Sequence, residues 1–356
     1  MKTVLVTGGA GFVGSHVALA LKQHHPAARV VAFDNLRRRG SELNLERLAA
    51  GGVEFAHGDV RNAEDLDPYA GLDLLIECSA EPSVLAGQDG SPAYVIQTNL
   101  VGTLNCLELV RRAGAHFVLL SSSRVYPIGP LNALKLTEDA TRLRPQPGWT
   151  APGFSERGIS EDFPLAGARS IYGATKLASE LLLQEYIAAY GLRGIIDRCG
   201  VLTGPWQMGK SDQGVVVLWV ARHIYGLPLS YIGYGATGKQ VRDLLHIDDL
   251  CELLLAQLAR IGDARGEIYN VGGGNAVSAS LLELTRLVQD ATGVKAGIGS
   301  VAQNRAGDIP YYVTDYARVQ RAFGWTPKRD VPRVVGEITR WIRDHEAALR
   351  PVLTRS

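Results

Sequence analysis

Residues 3–16, Thr-Val-Leu-Val-Thr-Gly-Gly-Ala-Gly-Phe-Val-Gly-Ser-His, admit few folds. Val4 to Val6 reads as a buried strand, a glycine-rich turn follows, and Phe12 to Leu21 has the apolar spacing of a helix. Gly9, Gly11 and Gly14 spell G-x-G-x-x-G, and Gly8, Gly11 and Gly14 spell the looser G-x-x-G-x-x-G. Such a turn needs residues without a Cβ where the chain bends, where the backbone approaches a pyrophosphate, and where helix packs on strand. The N–H groups that open the helix, those of Phe12, Val13 and Gly14, then face the phosphates. A glycine pattern alone is weak; strand before, helix after and an acid about twenty residues beyond Gly14 make it a dinucleotide site.

That acid is Asp34, in Val-Val-Ala-Phe-Asp-Asn. Arg29 to Phe33 reads as the second strand, with Asp34 and Asn35 at its C-terminal end. A carboxylate there accepts hydrogen bonds from the adenosine ribose and repels a 2′-phosphate, so the predicted cofactor is NAD rather than NADP. Arg37, Arg38 and Arg39 pull the other way, since arginines can accommodate that phosphate; the plainer reading is a solvated loop, or contact with the cofactor diphosphate.

Alternation continues. Leu43–Ala50 is helix-like and Val53–Ala56 a short strand. Asp59 and Val60 follow where a strand-end loop could meet adenine, or where Asp59 simply caps a turn. Leu72–Cys78 is a fourth strand, and Ser79 begins a small-residue stretch that suits close approach to the cofactor. Ser91, as N-cap, and Pro92 open a helix to Ala113 that carries Asn99. His116–Leu120 is a fifth strand, ending in Ser121-Ser122-Ser123-Arg124-Val125-Tyr126. Gly194–Arg198 is a sixth, ending at Cys199. Strands and helices in this rhythm predict an α/β fold, a Rossmann-type doubly wound parallel sheet with ligands outside the strand C-termini.

Residues 128–168 break the rhythm: five prolines (130, 145, 147, 152, 164) and little periodicity predict a lid or binding loop, with disorder as the plainer alternative. Beyond residue 200 the chain reads as a smaller α/β substrate domain. The predicted organisation is therefore 1–200, interrupted by the 128–168 insertion, and 201–356, with some segments exchanged. Helices are predicted over 214–225, 248–260, 280–291 (Ser280 and Glu283 forming a capping box), 315–323 and 331–345, and strands over 240–246 and 267–271.

Composition excludes several classes. Net charge is +1, so no global field draws nucleic acid or an anionic membrane. The longest apolar run, 215–221, is far short of the roughly 18 residues a membrane helix needs. The N-terminus enters a strand at once, leaving no room for a signal segment. Cys78, Cys106, Cys199 and Cys251 are widely spaced, which predicts reduced thiols in a cytoplasmic enzyme. The eight histidines show no ligand spacing, so no metal is expected.

Tyr172 and Lys176 are four apart on a predicted helix whose apolar face is assigned to Leu177, Leu181, Leu182 and Ile187. A free tyrosine, with a pKa near 10, is a poor base at neutral pH. A neighbouring ammonium favours its phenolate, and the pair can then accept a proton from a substrate hydroxyl as hydride leaves the same carbon.

With these motifs in place (TGGAGFVG, SSSRVY, YGATK, VRDLLHIDD and NRAGD), nearly the whole chain resembles the extended short-chain dehydrogenase/reductase family. FDNLRRRG, SDQG at 211–214 and GKQVRDLLH at 238–246 look most like the CDP-paratose/CDP-tyvelose 2-epimerases within it. The resemblance implies a nucleotide-sugar epimerase that oxidises one sugar hydroxyl with tightly held NAD and returns the hydride to the other face. It implies Ser122 as the hydroxyl on the reacting oxygen, with Ser121 and Ser123 as neighbours that could serve instead. Tyr172 is implied as the acid–base and Lys176 as its partner on the nicotinamide ribose. Arg242 and Arg305 would grip a nucleotide-sugar diphosphate, Asp308 the nucleotide ribose, and Ser123, Arg124 and Gln213 would contact substrate; the plainer reading of the arginines is surface ion pairs. The family's dehydratases carry an Asp-Glu pair where this chain has Ser123 and Arg124, which argues against dehydration. A homodimer through helices 91–113 and 171–190 is also implied. The alternatives are a UDP- or GDP-sugar 4-epimerase and, from another class, a non-catalytic dinucleotide-sensing or RNA-binding module.

Overall fold

The apolar runs at 4–6 and 74–76, fully buried, form the centre of a sheet in a computed structural model that describes residues 1–88, 90–209 and 213–354. Seven strands make that sheet: β1 (Thr3–Thr7), β2 (Arg29–Asp34), β3 (Glu54–His57), β4 (Leu74–Glu77), β5 (His116–Ser122), β6 (Arg193–Cys199) and β7 (Glu267–Val271). Their order is β7-β6-β5-β4-β1-β2-β3. β1 pairs in parallel with both β2 and β4, β2 with β3, and β4 with β5. The order therefore reverses beside β1, the place where doubly wound sheets open a crevice at their strand ends.

The chain divides into two compact units. The first holds Met1–Val125, Ser170–Arg198 and Leu250–Tyr269. Its core joins Leu5, Val31, Phe33, Leu75, Phe117 and Leu119 from the strands to Leu107, Val110 and Leu183 from the helices. The helix after Ser91 begins at Ala93, one residue later than its sequence predicts, with Pro92 rather than Ser91 as N-cap. It widens into a π-turn over Gln97–Val101 and resumes as α-helix over Gly102–Ala113. Such turns concentrate at functional sites, and this one contains Asn99.

The helix Ile171–Tyr190 is capped by Ser170, whose hydroxyl accepts the Gly173 N–H at 3.1 Å. Its apolar face is not the buried one. Leu181 is 55% exposed, whereas Tyr172, Thr175, Lys176, Ser179, Glu180 and Leu183 are buried. Polar side chains can take that stripe because each finds a partner: Thr175 donates to Tyr172 O, Ser179 to Asn99 O, and Glu180 is held by Arg198. Leu182 and Ile187 pack only partly against the core.

The second unit holds Tyr126–Arg169, Cys199–Asp249 and Asn270–Ser356. Val241–His246 is its central strand, parallel to Val201–Thr203 and Tyr311–Tyr312 and antiparallel to Ser278–Ser280. Leu229–Ile232 pairs separately with Ile298–Val301. Helices Val215–Tyr225, Leu281–Thr292 and Val331–Asp344 pack on one another. The Ser280–Glu283 capping box forms as its spacing predicts. A last helix, Glu346–Leu353, has no counterpart in the sequence reading.

The 128–168 segment is ordered. A short helix, Ile128–Asn132, precedes the hairpins Leu136–Glu138/Leu143–Pro145 and Phe154–Ser155/Gly158–Ile159. Strands of two or three residues are too short to show a period-2 pattern. Phe154 and Phe163 are buried, and Ile159 exchanges backbone hydrogen bonds with Val313 and Asp315. Arg142 binds Glu283 and Ser278, and Ser280 donates to Thr141 O.

Candidate active site

The glycine turn fits a dinucleotide. Gly8 has φ +63°, and a Cβ there would lie 2.8 Å from backbone atoms of Cys78 and Ser79. A Cβ on Gly14 would lie 2.2 Å from Gly8 O, so helix and turn touch through bare backbone. The helix Phe12–His24 starts with no side chain on its first N–H groups, which leaves those of Phe12 and Val13 to an anion. Asp34 takes the Ala10 N–H on one carboxylate oxygen at 3.1 Å and the Leu36 N–H on the other at 2.8 Å. Burial raises its pKa, and the Leu36, Ala10 and Gly11 N–H groups oppose that. Both oxygens keep lone pairs for ribose hydroxyls.

Asn35 donates to Asp59 at 2.8 Å. Asp59 is also bound by Arg61 at 2.6 Å, which lowers its pKa to about 2. Arg61 and Arg37 lie over the Tyr94 ring at 5.0 and 4.0 Å, so Arg37, exposed, stacks on an aromatic face. Val60 is buried against Gly102, and its carbonyl accepts from Asn105. Ser79 bonds Thr7 at 3.0 Å. Asn99 is fully buried: its oxygen accepts the Glu81 N–H and its amide donates to Glu81 O and Thr175, anchoring the loop after β4. Cys199 is buried at the end of β6.

At the end of β5 the acid–base candidates converge. Lys176 is 2% exposed, and its ammonium donates to Leu120 O at 2.9 Å. Tyr172, one turn earlier, is 8% exposed. Ser121 donates its hydroxyl to Glu180, which the Arg198 guanidinium grips at 2.7 Å. Ser122 accepts the Arg124 N–H at 3.1 Å, and its own hydroxyl proton stays available. Ser123 is partly exposed in the turn that follows.

In the second unit, Arg242 binds Asp308 at 3.0 Å and Ile309 O at 2.6 Å. Asp308 and Arg305 are further tied by a backbone bond, Asp308 N–H to Arg305 O, with the Arg305 side chain exposed. Gln213 is half-buried; Ser211 and Asp212 of the SDQG segment lie outside the described residues. His246, Asp248 and Glu337 bring ligand-type atoms within 4.8 Å of one another, a grouping no spacing announced. His246 Nδ1 accepts the Asp248 N–H, His246 Nε2 lies 3.1 Å from a Glu337 oxygen but is buried without a hydrogen bond, and Arg329 lies 3.6 Å from Asp248.

Two features escaped the sequence reading. The Glu180–Arg198 pair lies on the polar stripe 172, 175, 176, 179, 180, whose helical spacing is legible once Tyr172 is taken as its start. Glu77, fully buried, closes the apolar run Leu-Leu-Ile-Glu.

A sequence model of the "NAD dependent epimerase/dehydratase family" matches residues 4–272. The chain belongs to that family. Among relatives of this family member, CDP-paratose 2-epimerase of Salmonella typhi is 31% identical over 351 residues, 95% of this chain and 98% of that protein. dTDP-glucose 4,6-dehydratase of Streptomyces antibioticus is 30% identical, covering 99% and 96%. The crystal structure of the Streptomyces venezuelae dTDP-glucose 4,6-dehydratase with NAD bound superposes with a TM-score of 0.79 at 29% identity, over 99% of this chain and all of that one. This family member is thus an NAD-dependent extended short-chain dehydrogenase/reductase of the nucleotide-sugar epimerase/dehydratase group. Among its described residues no helix is long and apolar enough to cross a membrane.

Proposed function

We propose that this enzyme epimerises C2 of a CDP-hexose through a 2-keto sugar. The observation that carries the reading is the β5 end: Lys176 fixed on Leu120 O, Tyr172 one turn away, and Ser122 followed by Ser123 and Arg124 where the family's dehydratases place two acids. Tyr172 accepts the proton of the reacting hydroxyl and returns it, Lys176 favours the phenolate by its charge, and Ser122 hydrogen-bonds the same oxygen. Bound NAD supplies a hydride acceptor and donor. Gly8, Gly11, Phe12, Val13 and Gly14 would hold its pyrophosphate. Asp34 and Asn35 would hold its adenosine ribose, Asp59 and Val60 its adenine, and Ser79, Asn99 and Cys199 would line the rest. Arg242, Arg305 and Asp308, with Gln213 and Arg124, would hold the nucleotide.

The similarity to a CDP-paratose 2-epimerase supports the CDP and C2 assignments. We also infer a homodimer: Ile96, Leu104, Ile171 and Leu181, on the two helices assigned to it, are 36%, 38%, 37% and 55% exposed. Ultracentrifugation tests it, and a monomer at micromolar concentration contradicts it. The test of function is incubation with CDP-, UDP-, GDP- and dTDP-hexoses, read by NMR at C2 and C4. Inversion at C2 of a CDP-hexose supports the reading; inversion at C4 of a UDP- or GDP-sugar replaces it with a 4-epimerase.

A further inference from the structure

We propose that Glu77 is the counter-charge behind Lys176: a positioning residue that gains and loses a proton beneath the acid–base couple and thereby sets how strongly Lys176 acts on Tyr172. The proposal rests on the reading of Tyr172 and Lys176 given above.

Glu77 is the last residue of β4 and lies opposite Leu119 in the register with β5. The next residue on β5, Leu120, holds the Lys176 ammonium through its carbonyl. The Glu77 side chain is fully buried, so it touches no solvent. One carboxyl oxygen accepts the Thr103 hydroxyl at 2.8 Å, and the other has no hydrogen-bond partner. The Thr103 hydroxyl lies 3.1 Å from that of Ser179, three residues beyond Lys176 on the same helix face, and the two hydroxyls share Asn99 O as a further acceptor at 2.7 and 2.9 Å. Glu77 is thus tied by two hydroxyls to the helix that carries Tyr172 and Lys176.

A buried carboxylate with one oxygen unpaired is unfavourable. Burial raises the pKa of Glu77 to about 7, against the downward pull of the Lys176 ammonium and the Thr103 hydroxyl. The other ionisable groups around it contribute little charge. The Cys78 and Cys106 thiols are pushed up by burial and stay neutral. Glu180, further along the Lys176 helix, is closed by Arg198. Two charge states follow near neutrality. With Glu77 protonated, the ammonium is uncompensated and favours the phenolate fully. With Glu77 ionised, part of that effect is cancelled. The proton exchanges with solvent, and no bond to substrate forms.

Glu77→Gln keeps the shape and removes the charge. Infrared difference spectra of the NAD-loaded protein between about pH 6 and pH 8 need no substrate. They are expected to show a carboxylic-acid band lost on raising the pH, absent in E77Q and persisting to higher pH in Thr103→Val, which removes the hydrogen bond to Glu77. With a CDP-hexose that the wild type turns over, the kcat/KM profiles of wild type and E77Q are expected to coincide below about pH 6, where Glu77 holds its proton, and to diverge as pH rises through 7. Superimposable profiles, or an identical infrared difference in wild type and E77Q, overturn the proposal. Should E77Q not fold, the wild-type and T103V spectra decide alone. Loss of turnover bears on the couple itself through Tyr172→Phe, which leaves the Glu77 band in place.

Discussion

The ammonium of Lys176 donates to the carbonyl oxygen of Leu120 at 2.9 Å. That bond, with the one from Ser121 to Glu180, ties the helix face bearing Tyr172 to the strand end bearing Ser122. A lysine in this place has one hydrogen bond spent on backbone and two N–H groups left for a ribose or a phenolate.

Ser121 and Ser122 should separate by phenotype. Ser121→Ala removes one buried hydrogen bond to Glu180, which Arg198 still holds, so a loss of about 1–3 kcal/mol in stability is expected, with kcat changed little. Ser122→Ala should lower kcat by about 10- to 100-fold at unchanged melting temperature. Thermal melts and steady-state rates on both variants check this; the reverse pattern moves the catalytic hydroxyl to Ser121.

The contributions of Glu77 and Asp197 to stability should fall from about pH 4 to pH 7, against a rise below about pH 6.5 from His223 and His246, whose pKa values burial lowers. Burial raises both Glu77 and Asp197 to about 7 in the folded protein, from ordinary values of 4.5 and 3.8. The folded state then binds their protons more tightly than the unfolded chain. Their contribution to stability therefore drops as pH climbs from the unfolded to the folded pKa, and levels off above it. The ceiling is about 3 kcal/mol for Glu77 and about 4 for Asp197. Urea melts at pH 5 and pH 8 should show a flatter pH dependence in Glu77→Gln and in Asp197→Asn than in wild type. Equal slopes contradict the assignment.

Gly14→Ala should cost cofactor more than fold. Its Cβ would sit 2.2 Å from the backbone oxygen of Gly8, so the turn must move away from its phosphate-binding shape. Co-purified NAD, measured after denaturing the protein, should fall at least about tenfold while the melting transition stays cooperative. Full NAD occupancy would show that the turn does not hold the pyrophosphate.

Arg242→Lys keeps the charge and loses the planar fork, one nitrogen of which reaches Asp308 and Ile309 O while the other reaches Val241 O. Calorimetry with CDP should show binding weakened about tenfold. Unchanged binding would leave Arg242 as an ion pair of structural value only.

The first unit was largely legible because its strands are continuous apolar runs and its turn chemistry is local. Gly8, Gly14 and Asp34 announce their neighbours within thirty-four residues of the start. The helix Ile171–Tyr190 was legible in extent but not in orientation. Its leucines pointed to the wrong face, because Lys176, Ser179 and Glu180 are buried by partners far away in sequence, Leu120, Asn99 and Arg198. The 128–168 segment was illegible for a related reason. Its hairpins are too short to carry a period, and Arg142 and Ile159 find their partners at Glu283 and Val313. Glu77 stayed hidden because an acid inside the strand predicted over Leu72–Cys78 carries no signal of its own until the register with β5 sets it opposite Leu119.

The central claim is that the Tyr172 phenol moves the proton of the reacting sugar hydroxyl. Turnover of CDP-hexose by Tyr172→Phe, measured beside its NAD content and its affinity for CDP, tests this most directly. The account predicts wild-type NAD content and CDP affinity with kcat reduced by about a thousandfold or more. Retention of wild-type kcat in a variant that still holds NAD and CDP would contradict it.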